Sequence, residues 1–227
     1  MIFANYVRAL PIRPGLVMVS ALLLGACIET RFEAPLGDNI ETCDTRWKGL
    51  WIDTDNAAGG RDDDTTAFHV DDDCALMVLE RPWKGGVLKR THVPVNYVHA
   101  DGKDYIVVAD SAIKGLVTLK SPHAIEPKPA KAFFFVRYRM HGNSIDLYPV
   151  DSLRVAKLVI DGKLDGTVDK TLSELHVFVR GNRAQMLAMV RTQSIFDESS
   201  PLKLVRSGQT INAFEHSLPQ NPHGKKP

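Results

Sequence analysis

His99 and Asp104 flank Asp101-Gly102, a dipeptide that favours a two-residue hairpin, and counting outward from that turn sets the imidazole opposite the carboxylate. A carboxylate that holds an imidazole in one tautomer is a recurring device of acid–base catalysis. The same spacing also describes an exposed cross-strand ion pair, worth under about 1 kcal/mol. Two acidic triplets, Asp62-Asp63-Asp64 and Asp71-Asp72-Asp73, offer the hard oxygens that calcium prefers. Asp53-Thr54-Asp55 begins like a calcium loop, but Ala57 and Ala58 stand where a ligand and a glycine are required, so solvated turns are the expectation. The 8 histidines never fall at His-Glu-x-x-His spacing, and neither a Gly-x-Ser-x-Gly elbow nor a phosphate-cradling glycine loop occurs. No metal and no cofactor is expected. A catalytic centre would have to be assembled from residues distant in the chain, and the reading leans away from an enzyme.

The 3 cysteines divide by position. Cys43 and Cys74 form an even pair that one disulfide would satisfy in an oxidising compartment; two buried free thiols are the alternative. Cys27 ends the stretch Leu24-Gly25-Ala26-Cys27, which follows the apolar run Gly15–Leu24 and an upstream segment carrying Arg8 and Arg13. That order is the basic, apolar and small-residue plan of a secretory signal peptide. The apolar run is about half of the roughly 20 residues a helix needs to cross a bilayer, and Pro11 and Pro14 stop it from extending upstream. Leu-Gly-Ala-Cys resembles the lipobox of bacterial lipoproteins. The resemblance implies cleavage before Cys27 and a diacylglycerol, with palmitate-type chains, on its sulfur. Ile28 rather than Asp follows the cysteine. By the same resemblance this favours the outer membrane of a Gram-negative envelope, with the domain facing the periplasm.

Removing residues 1–26 from the 227 leaves 201, enough for one domain with tails. The removed segment takes two arginines and no acids, so 26 Lys+Arg stand against 27 Asp+Glu in the remainder. Near-neutral charge gives no electrostatic reason to bind nucleic acid.

The patterning predicts a mainly β (α+β) fold: an antiparallel sheet or partly open β-barrel with two short helices near the C-terminus. Residues 27–45 read as the lipidated N-terminus and a tether, 46–207 as the domain, and 208–227 as a disordered tail. Trp47–Ile52 opens the sheet, Thr65–Val70 and Cys74–Glu80 follow, and Val87–His99 is extended but broken at Pro94. Gly115–Lys120 is a further candidate strand, and the proline-bearing 121–131 a surface loop. Gly142-Asn143 sets a hairpin over Phe133–Tyr148 that pairs His141 with Ser144, Arg139 with Asp146 and Arg137 with Tyr148. Arg139–Asp146 is then a cross-strand ion pair. Asp151 caps a helix to about Asp161 that presents Leu153, Ala156 and Ile160 on one face, with Gly162 as its stop. Thr171-Leu172-Ser173-Glu174 has the form of a capping box for a second helix ending near Gly181. Residues 183–196 fit helix or strand, and Pro201–Arg206 fits a closing strand.

Gly49-Leu50-Trp51 on the first strand resembles the Gly-x-Trp signature of lipocalins, in which the tryptophan lies under an arginine from a late strand. Arg206 is the candidate partner, by cation–π stacking. The layout departs from lipocalins in setting helices before the last strand. The order from Phe133 onward is similar to uncharacterised proteobacterial lipoproteins, a resemblance that implies no activity. Trp51, Phe133, Phe135, Tyr138 and Arg206 are the candidates to line a ligand site or the core. The partners expected are a membrane, through Cys27, and an apolar or glycan-like ligand or another envelope protein. A lipid-anchored binding or scaffolding module is the leading reading; an envelope enzyme and a structural subunit of an envelope complex are the alternatives.

Overall fold

In the computed structural model, residues 28–54, 66–80, 88–113, 131–170 and 174–218 are described. The expected signal segment, Cys27, Asp62–Asp64, the expected strand Gly115–Lys120 and residues 121–130 lie outside them. No helix among the described residues is long and apolar enough to cross a membrane. Among the described residues the fold is mainly β, one large mixed sheet with four short helices.

Two antiparallel runs make up most of the sheet. The first is β2 (Gly49–Asp53), β3 (Thr66–Val70), β4 (Leu76–Glu80) and β5 (Lys89–Val93), each paired with the next. The second is β6 (Asn96–Ala100), β7 (Lys103–Ala109), β8 (Phe133–His141) and β9 (Ser144–Pro149). The late strand β12 (Leu202–Ser207) lies between β9 and β2, antiparallel to both, and so joins the runs. Both hairpin registers follow the turn chemistry: His99 faces Asp104, and Arg139 faces Asp146. Asp101 and Gly102 take φ of 52° and 69°, the left-handed region such a turn requires.

Pro94 breaks the chain between β5 and β6, and no ladder joins those two strands, so the sheet is open and not a closed barrel. All nine strands of the two runs and β12 nevertheless send side chains to one core. It includes Trp51, Phe68, Val78, Val93, Tyr97, Val108, Tyr138, Ile145 and Leu204. This inner face is why the strands alternate. A covalent tie spans the unpaired seam: Glu41 exchanges two backbone hydrogen bonds with Tyr97 of β6 at 2.8 and 2.7 Å, and nearby Cys43 is disulfide-bonded to Cys74 in the β3–β4 turn.

A second layer covers the opposite face. Here β1 (Ile28–Phe32) runs parallel to β11 (Leu175–Val179), β11 pairs with β10 (Gly166–Lys170), and Phe32 meets Phe133 of β8. Helix α1 is Asp110–Ile113, α2 is Ser152–Ile160, α3 is Arg183–Thr192 and α4 is Ile211–Ser217. Asp151 caps α2 and Gly162 follows at φ 69°, as the sequence predicts.

Four expectations are corrected. Residues 28–45 are no tether: they contain β1, and Phe32 and Leu36 are fully buried. Their polar look misleads because Glu29 and Arg31 are buried as a pair. Where the sequence predicts a helix after Thr171, the described residues Leu175–Val179 form β11, all five of them buried; a strand covered on both faces loses its alternation and reads as a short apolar run. Thr171–Ser173 lie outside the described residues, and among those described a capping box joins Asn182 and Gln185 at the start of α3. The buried face of α2 is formed by Val155 and Ala156, whereas Leu153 and Ile160 are 62 % and 73 % exposed. Finally, 208–218 is ordered. Thr210 caps α4, which buries Phe214 against a core containing Leu50, Ala67 and Leu79.

Candidate functional site

The 3₁₀ turn Thr45–Trp47 delivers Trp47 to one end of the inner face, where Trp51 of β2 already points. Asp44 caps this turn, accepting from the Arg46 amide at 3.0 Å. The Trp51 indole donates to the Trp47 backbone carbonyl at 2.6 Å, which fixes the Trp51 ring. Arg206, from β12, lies with its guanidinium carbon 4.2 Å from the Trp51 ring centroid. Its nitrogens donate to the Arg46 carbonyl at 2.7 Å and to the Lys48 carbonyl. A planar cation that stacks and forks at once is a role lysine cannot fill. Gly49 sits at φ 113°, and a Cβ there would stand 3.0 Å from the Arg206 guanidinium, so the glycine of Gly-x-Trp makes room for the arginine.

Beside these rings lies a polar cluster. Asp44 is buried and its carboxylate accepts from Arg46 Nη2 at 2.7 Å and from the Tyr138 hydroxyl at 2.6 Å. Arg46 also reaches Asp104 at 3.1 Å, and Asp104 holds His99 Nδ1 at 2.6 Å. Burial alone would raise the Asp44 carboxyl, but hydrogen bonds from Arg46 and Tyr138 outweigh it and hold the group below its ordinary value. Burial, then the bond to Asp44, push the Tyr138 phenol well above its usual range, so it stays a neutral donor. The far nitrogen of His99 faces Glu41 and Asp44 at 3.8 and 3.9 Å. Both ring nitrogens of His99 thus face carboxylates of this cluster.

Two groups in this region are unsatisfied. Among the described residues, Trp47 Nε1 and the Tyr97 hydroxyl are buried without a hydrogen-bond partner, as are a few other polar atoms such as His69 Nδ1 and Thr167 Oγ1, and both rings sit on the inner face with centroids 6.3 Å apart. Burial pushes the Tyr97 phenol upward and the nearby Asp44 charge adds to this, so Tyr97 also remains protonated. Each such donor is satisfied by an ordered water or by an acceptor on a bound molecule.

The structure separates residues that the sequence grouped. Trp51, Tyr138 and Arg206 share this end of the inner face, whereas Phe135 points to the opposite face and stacks on Phe32 at 4.1 Å. Phe133 is packed against that same second core. Among the described residues Arg139 pairs with no carboxylate: it lies over Tyr148, and Asp146 is taken by His141 at 3.5 Å and the Tyr148 hydroxyl at 3.3 Å. Asp71 spends its carboxylate on the amides of Asp73 and Ala75, an ordinary turn.

A buried constellation that sequence reasoning missed joins β1 and β11. His176 lies 3.0 Å from Glu29 and 3.4 Å from Glu174, and Arg31 reaches Glu29 at 2.8 Å. The parallel pairing that sets His176 beside Glu29 spans 147 residues of sequence and leaves no local trace. Among the described residues, no group of His, Cys, Asp and Glu side chains is arranged to hold a metal ion. Comparison with family models, curated proteins and solved structures finds no match for this chain.

Proposed function

We propose that this chain is a lipid-anchored cell-envelope protein of lipocalin-like design. It would be held at the outer membrane through Cys27 and facing the periplasm, and its inner face would bind an apolar ligand carrying a neutral oxygen acceptor. The observation that carries the reading is the pair of buried ring donors, Trp47 Nε1 and Tyr97 Oη, set between the apolar inner face and the Asp44–Tyr138 cluster. Asp44 beside them disfavours an anionic head group, so a carbonyl, ester or ether oxygen is the fitting acceptor. Support for the lipocalin-like design comes from three placements. The last strand β12 returns to the first strand of the meander, β2, Arg206 stacks on the tryptophan of Gly-x-Trp, and α4 follows the last strand. The helix-bearing segment before β12, which departs from the lipocalin plan, forms the second layer and does not interrupt the meander.

Titration with Nile red, an apolar dye with a carbonyl acceptor, tests the binding half. Fluorescence should rise on mixing, and Tyr97→Phe should weaken the dye by about fivefold, the effect of one hydrogen bond worth roughly 1 kcal/mol. A dye that gains no fluorescence, together with protein extracted from membranes that carries no small molecule in native mass spectrometry, refutes it. The anchoring half is tested separately by labelling with a fatty-acid analogue, which should mark the wild type and not Cys27→Ser.

A further inference from the structure

Three large apolar side chains stand out as exposed among the described residues: Ile28 at 36 %, Leu153 at 62 % and Ile160 at 73 %. They lie in one corner of the fold. Helix α2 packs on β1, β10 and β11, and the Ser152 hydroxyl accepts from the Thr30 hydroxyl at 2.8 Å, which fixes the start of the helix beside the start of the strand. Ile28, Thr30 and Phe32 share one face of β1, the face on which α2 lies. Leu153 and Ile160 are two turns apart on one side of α2, about 10 Å along its axis.

The sequence position of this corner identifies its occupant. Cys27 immediately precedes β1, so no spacer separates a lipid on that residue from the sheet. Thr30, hydrogen-bonded to α2, is three residues from the anchor, a reach of about 10 Å in extended chain. We infer that the outer face of α2, with Ile28, lies in the bilayer surface beside the anchor, with Leu153 and Ile160 inserted among the acyl chains. The inference rests on the lipid-anchor reading above. It also sets the character of the contact. Arg154 is engaged by Asp151 at 3.3 Å and by the Ser194 carbonyl at 3.0 Å, and Lys157 by Asp161 at 3.2 Å. The charges beside the apolar pair are thus already matched within the protein, and insertion depends on apolar burial and not on anionic lipid.

The test uses the mature protein in phosphatidylcholine vesicles with and without brominated acyl chains. Leu153→Trp reports on α2, and Ala213→Trp, exposed on α4 over the other outer core, is the control. Intact mass of each protein shows whether Cys27 carries its lipid. With the lipid present, the added Leu153→Trp emission should fall roughly twofold on bromination, as expected for a face lying about 5–10 Å into the headgroup boundary, while Ala213→Trp matches the wild type. Equal quenching at the two sites on lipidated protein overturns the docking and leaves the anchor standing, and the patch is then covered by something other than lipid. An unmodified N-terminus overturns both.

Discussion

Asp44→Ala removes one carboxylate that three donor groups share, and its cost can be worked from the structure. The Asp44 side chain is 4 % exposed while that of Arg46 is 48 % exposed, so the lost ion pair is one buried charge against one half-solvated charge. Breaking a fully buried pair costs about 3–5 kcal/mol, and screening of Arg46, which keeps Asp104 as a second partner, lowers that to about 1–2 kcal/mol. The Tyr138 hydroxyl, left buried without an acceptor, adds about 1–2 kcal/mol. The sum, about 3 kcal/mol, corresponds to a fall of roughly 6–12 °C in Tm for a domain of this size. Differential scanning calorimetry or circular dichroism of the wild type, Asp44→Ala, Tyr138→Phe and the double variant measures it. The double variant should cost less than the two singles together, because the orphaned hydroxyl is then absent. The pH dependence has a definite sign. A carboxyl held below its ordinary value of 3.8 contributes stability that is fully present above that value and is lost as pH falls through the folded-state value. The gap between wild type and Asp44→Ala should therefore be constant near neutrality and close in acid. A Tm change under about 2 °C at pH 7, or a gap that widens on acidification, would refute the assignment of Asp44 as the hub of this cluster.

Two further outcomes follow from the backbone and the cross-link. Reduction of Cys43–Cys74, 31 residues apart, should lower stability by about 3–4 kcal/mol from loop entropy, and alkylation of both thiols without reductant would show that the bond is absent. Gly142→Val places a branched side chain at φ 60° and should destabilise by about 1–2 kcal/mol, read as a lower denaturant midpoint at unchanged slope; an unaffected midpoint would argue against the β8–β9 register.

Local chemistry was legible wherever neighbours in sequence are neighbours in space. Asp101-Gly102 and Gly142-Asn143 impose their turns, and a period of two then assigns each side chain to a face, so both hairpin registers could be counted from the sequence. The Asp151 cap, the Gly162 stop and the break at Pro94 were legible for the same reason: each is a steric or hydrogen-bonding property of one or two residues. The aromatic half of the candidate site, Trp51 under Arg206, could be named only as a pair of types. Its realisation depended on β12 returning to β2 across 155 residues.

Tertiary structure alone decided the rest. Glu29 and Arg31 read as part of a polar tether, and burial becomes possible because Glu29 meets His176 across the parallel β1–β11 pair while Arg31 meets Glu29 and Asp110. Leu153 and Ile160 read as core because helical periodicity reports that a face is apolar and not what lies against it; packing turned Val155 and Ala156 inward instead. The separation of Phe133 and Phe135 from Tyr138, by contrast, follows from strand alternation and was already legible in the sequence. The sequence by itself determined the turns, the caps and the strand faces, which are short-range properties of the backbone. Which polar groups find partners, and which apolar ones do not, was decided by contacts between residues too far apart in the chain to leave a local signal.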